Sequence, residues 1–217
     1  MFIKMKLFKR FRRLLSHFNQ VIKVTDYPHV HPSAVIHPSV VVLNPDNLIM
    51  EENTNIQQFA RIGNLRAKFI MRKGAGSAAG LYVIPGNHMS VIGKRMKEVT
   101  DEMKDEIDIN RESDKDVIVE EEVWIGARVS LLNGVHIGRG AIIGTGSVVR
   151  KSIPPYAITI GNPAKIVGFK FTPDEVIEHE KILYPEAERL PRDLLEKNYK
   201  KYFQSRLKEI RSYTSLS

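Results

Sequence analysis

The chain has 217 residues, of which 42% are hydrophobic and 27% are charged, a balance typical of a folded globular protein. It contains no cysteine, which excludes a disulfide framework, a thiolate metal site and a cysteine nucleophile. The net charge is +8, and no apolar run approaches the roughly 18 residues that are needed to span a bilayer.

The positive charge is concentrated at the N-terminus. Residues 1–24 carry seven Lys or Arg and no acidic residue, so the rest of the chain is nearly neutral. Apolar residues recur in this segment at helical spacing, which predicts a basic amphipathic N-terminal helix over 1–24. Two roles are open for it, contact with an anionic membrane surface and an end cap for the fold, and the cap is favoured. Because the excess of positive charge is confined to one arm, we expect no nucleic acid partner.

The strongest pattern in the sequence is a repeat of six residues. An aliphatic residue occupies every sixth position at Val119, Ile125, Leu131, Ile137, Ile143 and Val149. Neither helical spacing nor simple alternation produces a strict period of six. A coil with three flat faces does produce it, because each face contributes one inward aliphatic side chain and three hexads complete one coil. Looser hexads over 30–84 extend the same solenoid towards the N-terminus.

Two segments depart from this period. Residues 89–116 interrupt the repeat, and most side chains from Lys94 to Asp116 are charged, which predicts a partly helical loop that leaves the solenoid. The run from Thr172 to Glu175 combines an N-cap, a first-turn proline and a capping-box glutamate, which predicts a helix to about Leu183. A second helix is predicted from Pro191, with an apolar stripe through residue 210. The predicted units are therefore 1–24, a solenoid domain over 25–171 and a helical extension over 172–217.

Motifs within the solenoid resemble one known family, the hexapeptide-repeat acyltransferases. The residues that carry the resemblance are Trp124-Ile125-Gly126-Ala127, the Ile-Gly hexads, and Ile153-Pro154-Pro155-Tyr156 leading into Gly161-Asn162-Pro163-Ala164-Lys165. The family includes galactoside, maltose, serine and xenobiotic acetyltransferases and bacterial polysaccharide O-acetyltransferases. The resemblance is strong over about 118–168 and weaker over 30–88. It implies a mainly β fold, a left-handed parallel β-helix, and assembly as a homotrimer.

The resemblance also implies an active site. An acyl donor, usually acetyl-CoA, is expected in the groove between two adjacent subunits, with one histidine as general base and no metal. The matching histidine is His88, where the solenoid gives way to the charged loop. Imidazole exchanges protons near neutral pH, so it can deprotonate a hydroxyl that attacks a thioester. The sequence places no carboxylate to orient this ring, and a backbone carbonyl is an open alternative.

Contacts to the two substrates follow from the same resemblance. The groove for the pantetheine arm is expected along Trp124, Ala127, Gly144 and Thr145. The nucleotide phosphates are expected near the cations Arg150, Lys151 and Lys165, since cationic side chains favour phosphate. The acceptor is expected to contact Asn87, Gln57 and Gln58.

Two further patterns are assigned no catalytic role. His31 and His37 are six residues apart, followed by proline and serine, and we interpret them as corner residues of the coil rather than zinc ligands. The glycine-rich run 74–80 lacks the Gly-Lys-Ser/Thr sequence of a phosphate loop and a helix after it. Its small side chains are predicted to allow the close approach of a coil or of a neighbouring subunit.

We therefore expect an acetyl-CoA-dependent O-acetyltransferase that acts on a hydroxyl of a sugar or polysaccharide precursor. The alternatives are acetylation of a xenobiotic such as an antibiotic, N-acylation of an amino sugar, a solenoid scaffold without activity and, last, a metal-dependent hydratase. We expect a cytoplasmic location, and contact with the inner membrane surface through the N-terminal helix is left open.

Overall fold

The computed structural model describes residues 27–214, so the predicted N-terminal helix lies outside the described residues. The strands, in chain order, are β1 Val35–Ile36, β2 Val41–Val42, β3 Leu48–Met50, β4 Asn55–Ile56, β5 Arg61–Ile62, β6 Phe69–Met71, β7 Gly76–Ser77, β8 Tyr82–Ile84, β9 Val117–Val119, β10 Trp124–Ile125, β11 Ser130–Leu132, β12 His136–Ile137, β13 Ile142–Ile143, β14 Val148–Val149, β15 Ala157–Ile160 and β16 Lys165–Phe169. The helices are α1 Asp101–Ile107, α2 Pro173–Leu183, α3 Arg192–Tyr202 and α4 Leu207–Thr214.

The strands form three sheets, which are the three faces of a parallel β-helix. The first face has the order β1-β4-β7-β10-β13-β15-β16, the second β14-β11-β8-β5-β2, and the third β12-β9-β6-β3. The first four coils, which are β1–β3, β4–β6, β7–β9 and β10–β12, each contribute one strand to each face. The fifth coil contributes β13 and β14. All strand pairs are parallel except β15 with β16, whose antiparallel pairing ends the stack.

The six-residue period predicts the core of the later coils. Its aliphatic residues from Val119 to Val149 are all fully buried, and the residues four positions after each are also buried. Trp124 pairs with Ile142, so this coil takes the three hexads that the repeat predicts. The earlier coils are longer, because Val35 pairs with Asn55 and Leu48 pairs with Phe69. This extra length explains why the hexads over 30–84 are irregular.

The charged segment leaves the third coil after β8 and returns at β9, where strand pairing resumes at Val117. It is partly helical. A short 3-10 turn covers Met96–Glu98, and α1 follows with Thr100 as its N-cap, whose side chain accepts a hydrogen bond from the Met103 amide. We call residues 85–116 the excursion.

The C-terminal segment packs on the end of the solenoid. Helix α2 starts at Pro173 with the predicted capping box, since the Thr172 amide donates to the Glu175 carboxylate over 2.8 Å. The second helix does not continue through residue 210. It ends at Tyr202, and Phe203 leaves the helical region at φ −126° and ψ −69° before α4 begins. At this bend the Tyr199 ring contacts the Phe169 and Phe203 rings, with centroids 5.3 Å away in both pairs and interplanar angles of 55° and 61°. None of the helices within residues 27–214 has the length and apolarity to cross a membrane.

Candidate active site

The predicted site residues lie on two edges of the prism. The first edge consists of the corners between the first and second faces, which follow β1, β4, β7, β10 and β13. The turn between β15 and β16 lies at the end of this edge. The second edge consists of the corners between the second and third faces, which follow β2, β5, β8, β11 and β14.

Successive corners of the first edge are joined by backbone hydrogen bonds. The Gly80 amide donates to the Gln58 carbonyl, and the Gly146 amide donates to the Ala127 carbonyl, each over 2.8 Å. This ladder aligns the residues predicted for the donor groove with two predicted for the acceptor, namely Trp124, Ala127, Gly144 and Thr145 with Gln57 and Gln58. The indole of Trp124 points outward and is half exposed, which agrees with a residue that flanks a groove.

Glycine is required where these corners meet. A Cβ atom at Gly126 would lie 2.7 Å from the Thr145 amide nitrogen and 2.8 Å from the Ile143 carbonyl oxygen. A Cβ atom at Gly144 would lie 2.7 Å from a methyl carbon of Ile160. The Ile-Gly hexads therefore reflect the close stacking of one corner on the next. Lys165 lies at the same edge, opposite Ile160 at the start of β16.

The second edge carries Asn87, His88, Arg150 and Lys151, all of which are exposed. Asn87 and His88 follow β8 on the third coil, and Arg150 and Lys151 follow β14 on the fifth. Two coils separate the pairs, which corresponds to about 10 Å along the axis at the usual spacing of about 4.8 Å between strands. The structure therefore places Arg150 and Lys151, which are predicted to bind phosphate, on the same edge as His88. The residues predicted for the pantetheine groove lie on the first edge.

His88 lines a cleft of about 510 Å³ between the solenoid and the excursion. The walls around it include Leu65, Met89, Thr100 and Asp101. Within residues 27–214 no hydrogen bond joins the His88 ring to another residue, so a ring nitrogen is available to a substrate.

A group of buried charges lies beside this cleft, and the sequence analysis did not predict it. Lys104 and Asp114 are both buried, and the Lys104 ammonium lies 2.8 Å from the Asp114 carboxylate. The Arg66 guanidinium donates to the same carboxylate over 2.9 Å, and this hydrogen bond raises the pKa of Arg66. In the sequence, Lys104 and Asp114 belong to the charged run 94–116, whose composition is typical of a solvent-exposed surface.

Other histidines have local partners. Nδ1 of His31 lies 2.8 Å from Ser33 Oγ, and Nδ1 of His37 lies 2.9 Å from Ser39 Oγ, as expected for corner residues. His136 lies outward on the third face, with Nε2 2.5 Å from Glu120 Oε1. No cluster of three or more His, Asp or Glu side chains suited to a metal ion occurs in the described part of the chain.

The glycine-rich run belongs to the solenoid. Gly76–Ser77 forms β7 in the first face, between β4 and β10. A Cβ atom at Gly76 would lie 2.6 Å from the side-chain nitrogen of Asn55 on the preceding coil. Close approach of a coil therefore accounts for the lack of a side chain at this position.

The six-residue repeat and the three sheets together define a solenoid protein, a parallel β-helix. Residues 116–151 match the family model described as bacterial transferase hexapeptide (six repeats). A chloramphenicol acetyltransferase from Klebsiella aerogenes is 44% identical over 59 residues, which are 27% of this chain and 28% of that protein. The chain matches these curated relatives over only part of their length, from 22% to 34%.

Solved structures are similar over most of the chain. A maltose O-acetyltransferase from Clostridium difficile 630 has a TM-score of 0.56 at 20% identity, covering 73% of this chain and 83% of that one. A hexapeptide-repeat acetyltransferase from Vibrio cholerae O1 biovar eltor, in complex with acetyl coenzyme A, has a TM-score of 0.55 at 20% identity, covering 72% and 83%. These comparisons confirm the resemblance to hexapeptide-repeat acyltransferases and support the left-handed β-helix.

Proposed function

We propose that this protein is an acetyl-CoA-dependent O-acetyltransferase whose acceptor is a hydroxyl of a sugar or polysaccharide precursor. The observation that carries the proposal is His88, an exposed imidazole that lines a cleft where a coil of a hexapeptide-repeat solenoid opens. The relatives described above are acetyltransferases by name, which supports the reaction class. Asn87 lines the same cleft as His88, and it is the residue of that chain that we propose to contact the acceptor.

His88 acts as general base in the proposed reaction. One ring nitrogen accepts the proton of the acceptor hydroxyl while that oxygen attacks the carbonyl carbon of the thioester. The carbon–sulfur bond then breaks, the acetyl group stays on the acceptor oxygen, and the imidazolium returns its proton to the departing thiolate. A backbone amide at the groove would stabilise the oxyanion. No acyl-enzyme is required, in agreement with a chain that has no cysteine.

We propose a trimeric assembly, and the separation of the two edges supports it. In a single chain the strands of the second face lie between His88 and the donor residues on the first edge, and three residues of strand span about 10 Å. If the first edge of one copy faces the second edge of the next, then Trp124, Ala127 and Thr145 approach the neighbour's His88, together with Gln57 and Gln58. Exposed aromatic residues at Phe59, Tyr82 and Trp124 support burial of this surface by another copy.

The donor phosphates are proposed to bind near Arg150 and Lys151, with Lys165 on the first edge as a further candidate. An acyl donor that extends along the groove from His88 would reach the corner of the fifth coil, where both Arg150 and Lys151 are exposed. Arginine and lysine suit this role because their charge-assisted hydrogen bonds to phosphate are stronger than neutral ones.

A xenobiotic acceptor is the second candidate. It is favoured by the 44% identity with a chloramphenicol acetyltransferase, although this identity covers only 59 residues. Contact of residues 1–24 with an anionic membrane surface is also a proposal, and it rests on the seven cations of that segment.

The test combines donor binding with acetyl transfer. Acetyl-CoA binding is measured by calorimetry for the wild type, His88→Ala and the control His37→Ala, and transfer to maltose and to chloramphenicol is measured by release of CoA. We expect all three proteins to bind the donor, with His88→Ala losing about 10²- to 10⁴-fold in turnover. No binding at millimolar acetyl-CoA would overturn the proposal. Transfer to chloramphenicol without transfer to maltose would favour the xenobiotic function.

A further inference from the structure

The two legs of the excursion meet beside His88. Gly86 and Asp114 form an isolated antiparallel bridge, and the Asn87 amide donates to the Ser113 carbonyl over 2.8 Å. The backbone that carries His88 is thus paired with the returning leg of the excursion, close to the point where that leg rejoins the solenoid. This pairing holds the backbone N–H group of Asn87 in place.

Lys104 holds the backbone carbonyl group of Asn87 in place. Its ammonium donates to the Asn87 carbonyl oxygen over 2.6 Å and to the Asp114 carboxylate over 2.8 Å. This carbonyl belongs to the peptide group whose nitrogen is that of His88. A side chain of helix α1 therefore holds the peptide group that precedes the His88 Cα atom, and this atom carries the imidazole side chain.

The position of the ammonium is itself constrained. The Lys104 side chain is 9% exposed and that of Asp114 is 4% exposed, so each charge depends on the other for compensation. Arg66, which follows β5 on the second coil, donates to Oδ2 of the same Asp114 carboxylate and pairs with Asp101 and Asp105 of α1. A Cβ atom at Gly86 would lie 2.6 Å from Asp114 Oδ1, so the carboxylate packs directly against the loop.

We infer that Lys104 is a positioning residue for His88, because its hydrogen bond to the Asn87 carbonyl sets the direction of the imidazole. The inference rests on the proposed function of His88. Lys104 acts on His88 indirectly, through the Asn87 carbonyl and the Asp114 carboxylate, and the proposed reaction gives it no contact with a substrate. A buried lysine that only filled space could be replaced by methionine, whose stem has similar length, without moving the loop.

The experiment compares Lys104→Met with the wild type and with Lys97→Met. Lys97 is an exposed lysine of the same excursion, away from the buried charges, so its replacement makes the same chemical change at a distance from the loop. Hydrogen exchange is measured at the amides of residues 86–88. Acetyl-CoA binding is measured by calorimetry, and kcat per donor site is measured with whichever of maltose or chloramphenicol the wild type acetylates.

We expect exchange at 86–88 to rise at least tenfold in Lys104→Met, with acetyl-CoA affinity within twofold of wild type. We expect kcat per donor site to fall by tenfold or more, since a misplacement of about 1 Å can cost about 100-fold. Lys97→Met should match the wild type in all three measurements. A purely structural defect would instead reduce the number of donor sites and leave kcat per site unchanged.

Unchanged exchange at 86–88 in folded Lys104→Met would overturn the inference, as would faster exchange with unchanged kcat. If the wild type transfers no acetyl group, the proposed function fails, and the exchange data still decide whether Lys104 holds the loop. Should Lys104→Met not fold, Lys104→Gln replaces it. Its uncharged amide is one atom shorter, and the same changes are expected at smaller size.

Discussion

The Tyr156 hydroxyl donates a hydrogen bond of 3.0 Å to Glu180 Oε1, and this contact joins the end of the solenoid to helix α2. Glu180 is 1% exposed and also accepts from the Leu190 amide over 2.6 Å and from Arg139 over 3.3 Å. Burial and the adjacent carboxylate raise the pKa of Tyr156 far above its ordinary value. The tyrosine therefore remains a hydrogen-bond donor at neutral pH.

Removal of this donor should destabilise the C-terminal extension. Tyr156→Phe is expected to lower the free energy of unfolding by about 1.5–3 kcal/mol, the range for a hydrogen bond to a charged group. Urea unfolding measures the change. The matched control is Tyr82→Phe, because Tyr82 is 42% exposed and should lose little stability. Equal losses in both variants would contradict the assigned role of the buried pair.

A methyl group at Gly126 should distort the first edge. Gly126→Ala places a Cβ atom 2.7 Å from the Thr145 amide nitrogen and 2.8 Å from the Ile143 carbonyl oxygen, both of which belong to the backbone. We expect a loss of about 1–3 kcal/mol in the free energy of unfolding, as for overpacking in general. Gly168→Ala is the control, because no atom lies within 4 Å of the added carbon. A neutral Gly126→Ala would mean that the corners stack less closely than described.

The pair of His136 and Glu120 should make stability depend on pH. The hydrogen bond with Glu120 raises the pKa of His136 above 6.5, and the same contact lowers the pKa of Glu120 below 4.5. The contribution of His136 is complete below about pH 6.5 and is lost as the pH rises through its folded pKa. The contribution of Glu120 is complete above about pH 4.5 and is lost as the pH falls through its folded pKa.

Glu120→Gln tests this assignment. The pKa of His136, followed by NMR titration, should fall in the variant, and the decline in stability above about pH 6.5 should become shallower. Glu112→Gln is the control, because Glu112 pairs with Lys115 and not with a histidine. An unchanged pKa of His136 in Glu120→Gln would show that the two side chains do not interact in solution.

The proposed phosphate contacts can be tested through donor affinity. Arg150→Ala and Lys151→Ala should each weaken acetyl-CoA binding by about tenfold, which equals about 1.4 kcal/mol for one charge-assisted contact. The loss should shrink as salt is added, since exposed charges are screened. Calorimetry of both variants beside Lys181→Ala, an exposed lysine of α2, provides the comparison. If all three bind equally, the phosphates lie at another corner.

Local patterns predicted much of the solenoid. The six-residue period from Val119 to Val149 was confirmed because each aliphatic residue fills the same inward position of a short strand, whatever the rest of the chain does. The helix after Thr172 was also predictable, since an N-cap and its glutamate lie three residues apart. The break at Phe203 was not, because no proline or glycine marks it in the sequence, and it lies where Tyr199 packs against Phe169 of the solenoid.

The candidate site was predictable only in part. His88 was selected because it stands where the repeat stops and matches the histidine that the resemblance implies. The structure places it in a cleft, and its role as general base stays a prediction. The distribution of the other residues between two edges was not foreseen. It depends on which corner of which coil each residue occupies, and the early coils are longer than three hexads, so the spacing in sequence does not identify the corner.

Residue identity and spacing alone determine the repeat and its inward side chains, because these depend on neighbours within one or two coils. The way in which the excursion folds back depends on tertiary packing. Arg66 and Asp114 are 48 residues apart, and Lys104 and Asn87 are 17 apart. Such contacts join charges that look solvated in the sequence, and their burial depends on the packing of α1 against the solenoid.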